Sequence, residues 1–283
     1  MKSIKLTFFC LLLISSISIL QAQDPELPAP SPLGTLSQKI GLATVSIEYS
    51  RPSVKGRTIF GNIVPYNEIW RTGANKSTQF SCDKAIMIHG QTLEAGTYAL
   101  YTIPGENEWT VILNKDNEQW GAYAYNKEKD ALRFTVKPVK NTFTETLTFG
   151  ISNVTMSTAD VQLYWENTLI SFPIKHNYLS EAQDNIKASI KQAENTSGLY
   201  DASAEFYLDN NLDAKQALEW SKKSVAMSEK YWNLYTYSRA LAATGDKKAA
   251  VESAERALKL AEEAKNAGMA ESIKKSISEW KAM

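Results

Sequence analysis

The chain predicts two domains of different class, a mostly antiparallel β-sandwich or barrel-like domain followed by an α-helical array of hairpins. Three observations carry this. Before His176, short runs alternate apolar and polar residues and are separated by turn residues. After it, Ala, Lys, Glu and Leu dominate, glycine and proline almost vanish, and apolar residues recur at three and four positions. Within that second half one residue pattern returns after 33 residues, from Asp213 to Asp246. A chain of 283 residues holds two domains, which commonly run about 100–150 residues each.

The first residues have the form of a secretory signal. Lys2 and Lys5 precede an apolar run from Leu6 to Leu20, and Leu20-Gln21-Ala22 places a small residue before the expected cut. The run is about 15 residues, short of the roughly 20 that a membrane-spanning helix needs. Residues 1–22 are therefore expected to be a signal peptide, 23–30 a linker, 31–176 the β domain and 177–283 the helical domain. Cys10 lies inside the apolar run, too early for a lipoprotein signal. Removal of the signal leaves Cys82 alone, so the mature chain has no internal disulfide, which fits a bacterial periplasm or surface better than a disulfide-stapled secreted domain. The 31 basic and 31 acidic residues balance, which argues against a dedicated nucleic-acid binder.

Leu42–Tyr49, alternating around Val45 and Ile47, reads as the first strand. Ala85–His89 and Tyr98–Ile103 flank a glycine-bearing connection, and Trp109–Leu113, Leu132–Val136 and Glu145–Phe149 follow. Val161–Trp165 and Leu169–Ile174 read as a last hairpin turning at Glu166-Asn167. Pro104 and Pro138 sit just past strand ends, where a missing amide proton costs little. Cys82 falls in an apparent strand as a small buried hydrophobe.

In the second half Leu179, Ala182, Ile186, Ile190 and Ala193 form one helix stripe, with Ser180 and Gln183 spaced as a capping box. Asn195–Gly198 ends that helix. Asp213-x-x-x-Ala217-Leu218-x-x-Ser221-x-x-Ser224-Val225 then reappears as Asp246-x-x-x-Ala250-Val251-x-x-Ala254-x-x-Ala257-Leu258. The period resembles the roughly 34-residue tetratricopeptide repeat, in degenerate form. Leu234 stands where a Trp is usual, and Leu212 where the second unit has its turn glycine, Gly245. A plain helical hairpin bundle is the alternative. Ser272–Trp280 supplies a terminal capping helix.

The stretch from Tyr49 to Asn75 follows neither period and reads as a long ordered loop rather than as core. Long loops inside compact domains are usually functional or disordered, and this one is too aromatic for disorder. Tyr49-Ser-Arg-Pro-Ser-Val-Lys-Gly-Arg57, Ile59-Phe-Gly61, Val64-Pro-Tyr66, Trp70-Arg-Thr-Gly-Ala-Asn75, Ala95-Gly-Thr-Tyr98 and Glu108–Asn114 resemble, in this order, domain of unknown function family 2911. The resemblance covers residues 31–174 and implies a secreted protein of Bacteroidetes-like bacteria. It implies no reaction, because the family carries none, and the helical half lies outside it.

Arg51, Lys55, Arg57 and Arg71 are the sharpest cluster, since guanidinium forks bind carboxylate or phosphate through paired bonds. With Asn62, Asn67 and Asn75 as neutral partners and Trp70 and Tyr66 as flat surfaces, the loop is a candidate anion or glycan pocket. The opposing reading pairs the arginines with Glu48, Glu68 or Glu94 and makes them braces. Trp109, Asn114, Trp120 and Tyr125 form a second aromatic group, either core and lid packing or a second loop over the same cleft. No nucleophile elbow, zinc-protease motif, P-loop or dinucleotide fingerprint is present, and two histidines cannot build a three-histidine metal site. Glu94 and Glu108 are the nearest candidates for acid–base work. No cofactor or metal is expected.

Three functions compete. The first is a noncatalytic extracytoplasmic binding or scaffolding protein, with a small anionic or sugar ligand on the β domain and a protein partner on the repeats. The second is a cell-envelope hydrolase or lyase in which Arg71 holds an anionic group and Glu94 serves as acid or base. The third is a structural envelope component.

Overall fold

A computed structural model describes residues 27–192 and 196–282. The expected signal peptide, the first part of the linker, and Ala193 and Asn195 at the end of the first helix lie outside the described residues. The chain divides into two units between Lys175 and His176, and each has its own core.

Among the described residues the β unit contains ten strands: β1 Leu33–Ile40, β2 Ala43–Ser50, β3 Ala74–Cys82, β4 Ile86–Ile88, β5 Gln91–Leu93, β6 Gly96–Ile103, β7 Trp109–Asn114, β8 Asp130–Val136, β9 Val139–Ser152 and β10 Thr158–Lys175. They form two open antiparallel sheets, ordered β1-β2-β3-β6-β7-β8 and β5-β4-β10-β9. Of the two expected architectures, a sandwich is the one formed. Ile47, Phe80, Leu100 and Val111 of the first sheet pack with Ile88, Leu147, Leu163 and Phe172 of the second. Alternation explains this directly, because in β2 Val45 and Ile47 are buried while Thr44, Ser46 and Glu48 are not. The β4–β5 turn is made by His89 and Gly90, both at positive φ (48° and 81°), as a tight primed turn requires. His89 is thus a turn residue, stacked on Phe134 at 5.1 Å.

Two expectations need correcting. Glu166-Asn167 is not a hairpin turn, because β10 runs straight through it. Glu166 has φ 53° and the register with β9 slips on both sides of it, so it is a bulge. Trp165 and Ile170 both point into the core although their spacing is odd. An unbroken strand would put them on opposite faces, and the bulge restores the phase. The second correction concerns the long loop before β3. Val54, Ile59, Phe60, Val64 and Trp70 are all buried in the main core, so the loop contributes core despite lacking a period.

Cys82 is buried in β3. Its thiol donates to the Glu94 carbonyl at 3.3 Å, and burial pushes its pKa up to about 11. At pH 8 its alkylation in the folded chain is expected to be roughly two orders of magnitude slower than that of a free cysteine, and to recover in denaturant. Mass-resolved labelling at Cys82 checks this.

The second unit has six helices among the described residues: α1 Leu179–Gln192, α2 Ser197–Asp209, α3 Ala214–Met227, α4 Tyr231–Ala243, α5 Lys247–Glu263 and α6 Ala267–Ala282. α2 with α3 and α4 with α5 form successive hairpins. The repeated pattern has a direct physical meaning here. Asp213 caps α3 by accepting from the amides of Lys215 and Gln216, and Asp246 caps α5 by accepting from Ala249. Ala217, Ser221 and Ser224 are buried, as are Ala250, Ala254 and Ala257, so small residues let the paired helices approach closely. In the first hairpin Asn211, at φ 51°, supplies the left-handed turn that Gly245, at φ 96°, supplies in the second, because asparagine tolerates that conformation.

Candidate functional site

The loop that follows β2 is pinned to the β9 edge. Val54 donates to the Glu145 carbonyl and Leu147 to that of Pro52, so residues 52–54 act as a short extra strand covering an exposed edge. Its cations brace this arrangement. Arg51 Nε donates to the Leu147 carbonyl at 3.0 Å, and its second nitrogen donates to Thr148 Oγ1 at 2.9 Å. Arg57 folds back on the carbonyls of Val54 and Ser53 at 3.0 and 2.7 Å. Lys55, at φ 49°, donates its backbone amide to Glu145 at 2.8 Å. The bracing matches the second sequence reading in role but not in partners. Among the described residues the guanidinium groups of Arg51 and Arg57 pair with none of Glu48, Glu68 or Glu94; they donate to backbone carbonyls and, from Arg51, to Thr148 Oγ1. Arg71 stands apart, with its Nε enclosed and without a hydrogen-bond partner.

The aromatic candidates divide in the same way. Trp109 is 1% exposed and meets Phe60 edge-on at 4.8 Å. Trp70 stacks on Trp165 at 5.8 Å and donates its indole N–H to the Gly73 carbonyl. Both are core residues with no face for a ligand. Asn114 is buried as well. It donates to the Asn126 carbonyl and to Asp130 Oδ1, and accepts from the Asp116 amide, which fastens the loop between β7 and β8. Tyr125 completes that anchor. Its hydroxyl donates to Asp130 at 2.8 Å and accepts from Arg133 at 2.6 Å, and burial followed by the Asp130 hydrogen bond pushes its pKa up to about 12. Glu94 and Glu108 are exposed and precede β6 and β7 respectively. Because the two strands pair antiparallel, these carboxylates lie at opposite ends of the sheet, about 25 Å apart at roughly 3.4 Å per residue. They cannot serve one bond.

Asn75 and Trp120 do come together. Asn75, at φ 60°, occupies the bulge where the β2–β3 register shifts. It donates to Ser50 Oγ at 3.1 Å and accepts the Gly121 amide on its carbonyl. Lys76 and Trp120 form a bridge beside it. The two loops thus meet over a cleft of about 330 Å³. Trp120 and Leu33 form its apolar walls and are 63% and 65% exposed. Glu48, Asn75, Lys76 and Gln79 form its polar rim, with Gln79 steadied by the Asn117 carbonyl at 3.0 Å.

Ser77 completes the lining. It is 3% exposed, and its Oγ has no hydrogen-bond partner. The Tyr101 hydroxyl lies close enough to interact with it, yet it too is buried without a formed bond. Burying polar groups unpaired is costly, so this pair of hydroxyls has hydrogen-bonding capacity to spare. Sequence reasoning passed over Ser77, Lys76 and Gln79. The signal available was the polar alternation of Asn75–Gln79 just ahead of the core residue Phe80.

A larger hollow of about 550 Å³ at the α5–α6 turn is lined by exposed lysines and glutamates. Glu262 and Lys274 pair with each other there at 2.8 Å, and no buried polar atom is left open. Among the described residues no group of three His, Cys, Asp or Glu is placed to hold a metal, and no helix is long and apolar enough to cross a membrane.

A family model described as protein of unknown function (DUF2911) matches residues 31–174, half of the chain and nearly the whole β unit. The chain belongs to this family. No curated protein matches it. Among solved structures, the solution structure of a Bordetella parapertussis protein matches with a TM-score of 0.32 and 13% identity, covering 35% of this chain and 87% of that one; the likeness is too slight to carry an argument. The DUF2911 match includes every residue of the Trp120 cleft and stops short of the helices.

Proposed function

We propose that this DUF2911 protein is a noncatalytic extracytoplasmic binding protein, whose β unit takes a small polar ligand in the cleft beneath Trp120. One observation carries the reading: an exposed indole stands over a cleft in whose wall a buried serine hydroxyl has no partner. Exposed aromatic surface beside unsatisfied polar groups is the composition of a ligand site. The binding role is favoured over hydrolysis because Glu94 and Glu108 stand far apart. The compartment rests on the form of residues 1–22 and on Cys82 being the single cysteine after them.

The helical unit supplies a separate surface for a protein partner. α4 adjoins both α2 and α6, and Leu208, Arg239, Ala242 and Trp280 from these helices line a groove of about 370 Å³. A thermal-shift screen of the protein against glycans, phosphates, carboxylates and short peptides tests the ligand site. A saturating ligand at 100 times its dissociation constant stabilises the fold by about 2.7 kcal/mol. The shift is expected in the wild type and absent in Trp120→Ala. A shift that survives this substitution would place the site elsewhere.

A further inference from the structure

Resting on the Trp120 reading above, we infer that the cleft is built for a neutral saccharide and not for an anion. Its electrostatics point this way first. Of the loop arginines, Arg51 and Arg57 are turned to backbone carbonyls, and Arg71 does not line the cleft. Among the described residues Lys76 is the one cation lining the cleft, and the carboxylate of Glu48 lines it too. An incoming anion would meet that carboxylate, whereas a sugar hydroxyl donates to it.

The wall chemistry agrees. Ser77 Oγ is neutral, and it both donates and accepts. Desolvating an ion against a neutral hydroxyl is expensive; a ligand hydroxyl or a bridging water satisfies it at little cost. Asn75 and Gln79, whose amide N–H groups are already held by Ser50 and the Asn117 carbonyl, add side-chain carbonyl oxygens that accept. A purely apolar ligand would leave the Ser77 hydroxyl unpaired.

Trp120 supplies the remaining element. Its backbone is held at the rim by the β-bridge to Lys76 and by a loop fastened through Asn114, Tyr125 and Asp130. A flat, pre-positioned aromatic face covers the C–H face of a pyranose while the ring hydroxyls point sideways to polar partners. The cleft volume of about 330 Å³ lies at the small end of ligand sites and suits one or two sugar rings.

The test uses the protein labelled with 5-fluorotryptophan and observed by fluorine NMR, with the Trp120 signal assigned by Trp120→Phe. The probes are cellotriose, maltotriose, xylotriose and chitotriose, set against inorganic phosphate, citrate and a basic and an acidic peptide. At least one trisaccharide is expected to move the Trp120 signal saturably. Trp120→Ala and Ser77→Ala should each weaken it about tenfold or more, equal to about 1.4 kcal/mol, and Trp120→Phe should keep part of it. Trp120 is exposed and Ser77 Oγ unpartnered, so neither alanine variant threatens the fold. If phosphate or citrate moves the signal and Lys76→Ala abolishes the effect, the cleft binds a ligand but the saccharide assignment is overturned. If a peptide alone moves it, the surface is a protein contact. If no probe moves it, both the assignment and the cleft as a ligand site fall.

Discussion

Trp109→Ala is expected to destabilise the β unit by about 3–5 kcal/mol, the range for removing a large aromatic from a packed core. Trp109 is enclosed by Phe60, at 4.8 Å, and by Trp70, at 6.4 Å; Trp70 in turn lies on Trp165. These four rings come from the long loop, β7 and β10, so they join both sheets and the loop at one point. Truncating one leaves a cavity bordered by rigid rings that cannot collapse into it. The same substitution at Trp120 removes a side chain already 63% exposed and should change stability by less than about 0.5 kcal/mol, as surface substitutions usually do. Urea denaturation of the two variants side by side checks both. Comparable losses would mean that Trp120 is structural and would remove the main support for a ligand site beneath it.

Asp201→Asn is expected to stabilise the helical unit by about 1–2 kcal/mol at pH 7–8, with the gain fading toward pH 4. Asp201 lies in α2, 9% exposed, with Oδ1 enclosed and unpartnered. Burial pushes its pKa up to about 6; the Thr236 hydroxyl opposes this, Glu205 adds to it and Arg239 opposes it. A carboxyl whose pKa is raised by folding prefers its protonated form in the folded state. Its contribution is therefore fully present below the ordinary value of 3.8 and lost as pH rises through about 6. Above that, the wild type holds a buried charge that asparagine lacks. The full displacement corresponds to about 3 kcal/mol at 1.36 kcal/mol per pH unit, and the expected gain is smaller because Glu205 and Arg239 beside it reach solvent. Melting temperatures of both proteins from pH 4 to 8 should diverge as pH rises and level off above about pH 6. Parallel curves would show that Asp201 is ionised at no cost.

The helical half was legible in its repeat but not in every boundary: α1 starts at Leu179, ahead of the expected Ser180 cap, and Gly198, expected to end that helix, lies in α2. Capping at Asp213 and Asp246 and small residues at helix contacts act over one to four positions, so their spacing in the chain is their spacing in space. The strands were legible where one face is buried, as in β2 and β8. β3 was not, because its exposed face is polar and its buried face is partly Thr78 and Cys82, which dilutes the alternation. The β10 bulge was misread because Glu166-Asn167 has turn chemistry, and only a partner strand continuing alongside distinguishes a bulge from a turn. The site was legible in part. Asn75 and Trp120 were both marked by residue type, and the meeting of their loops was one of the options. Arg51 and Arg57 were legible as possible braces but not in their partners, because a guanidinium donates to a backbone carbonyl as well as to an anion, and no spacing rule tells the two apart.

Residue order alone established the change of class at the middle of the chain, the repeat, the balance of charge and the loops in which polar and aromatic residues gather, all properties of neighbours along the chain. Tertiary structure alone decided which tryptophans are core and which is surface, where the arginine forks end, and that Ser77 is buried beside a cleft with its hydroxyl unpaired. Those are relations between residues dozens of positions apart, Arg51 with Leu147 or Asn75 with Gly121. Burial and hydrogen-bond satisfaction are set by what the other sheet and the other loop bring, which no local pattern encodes.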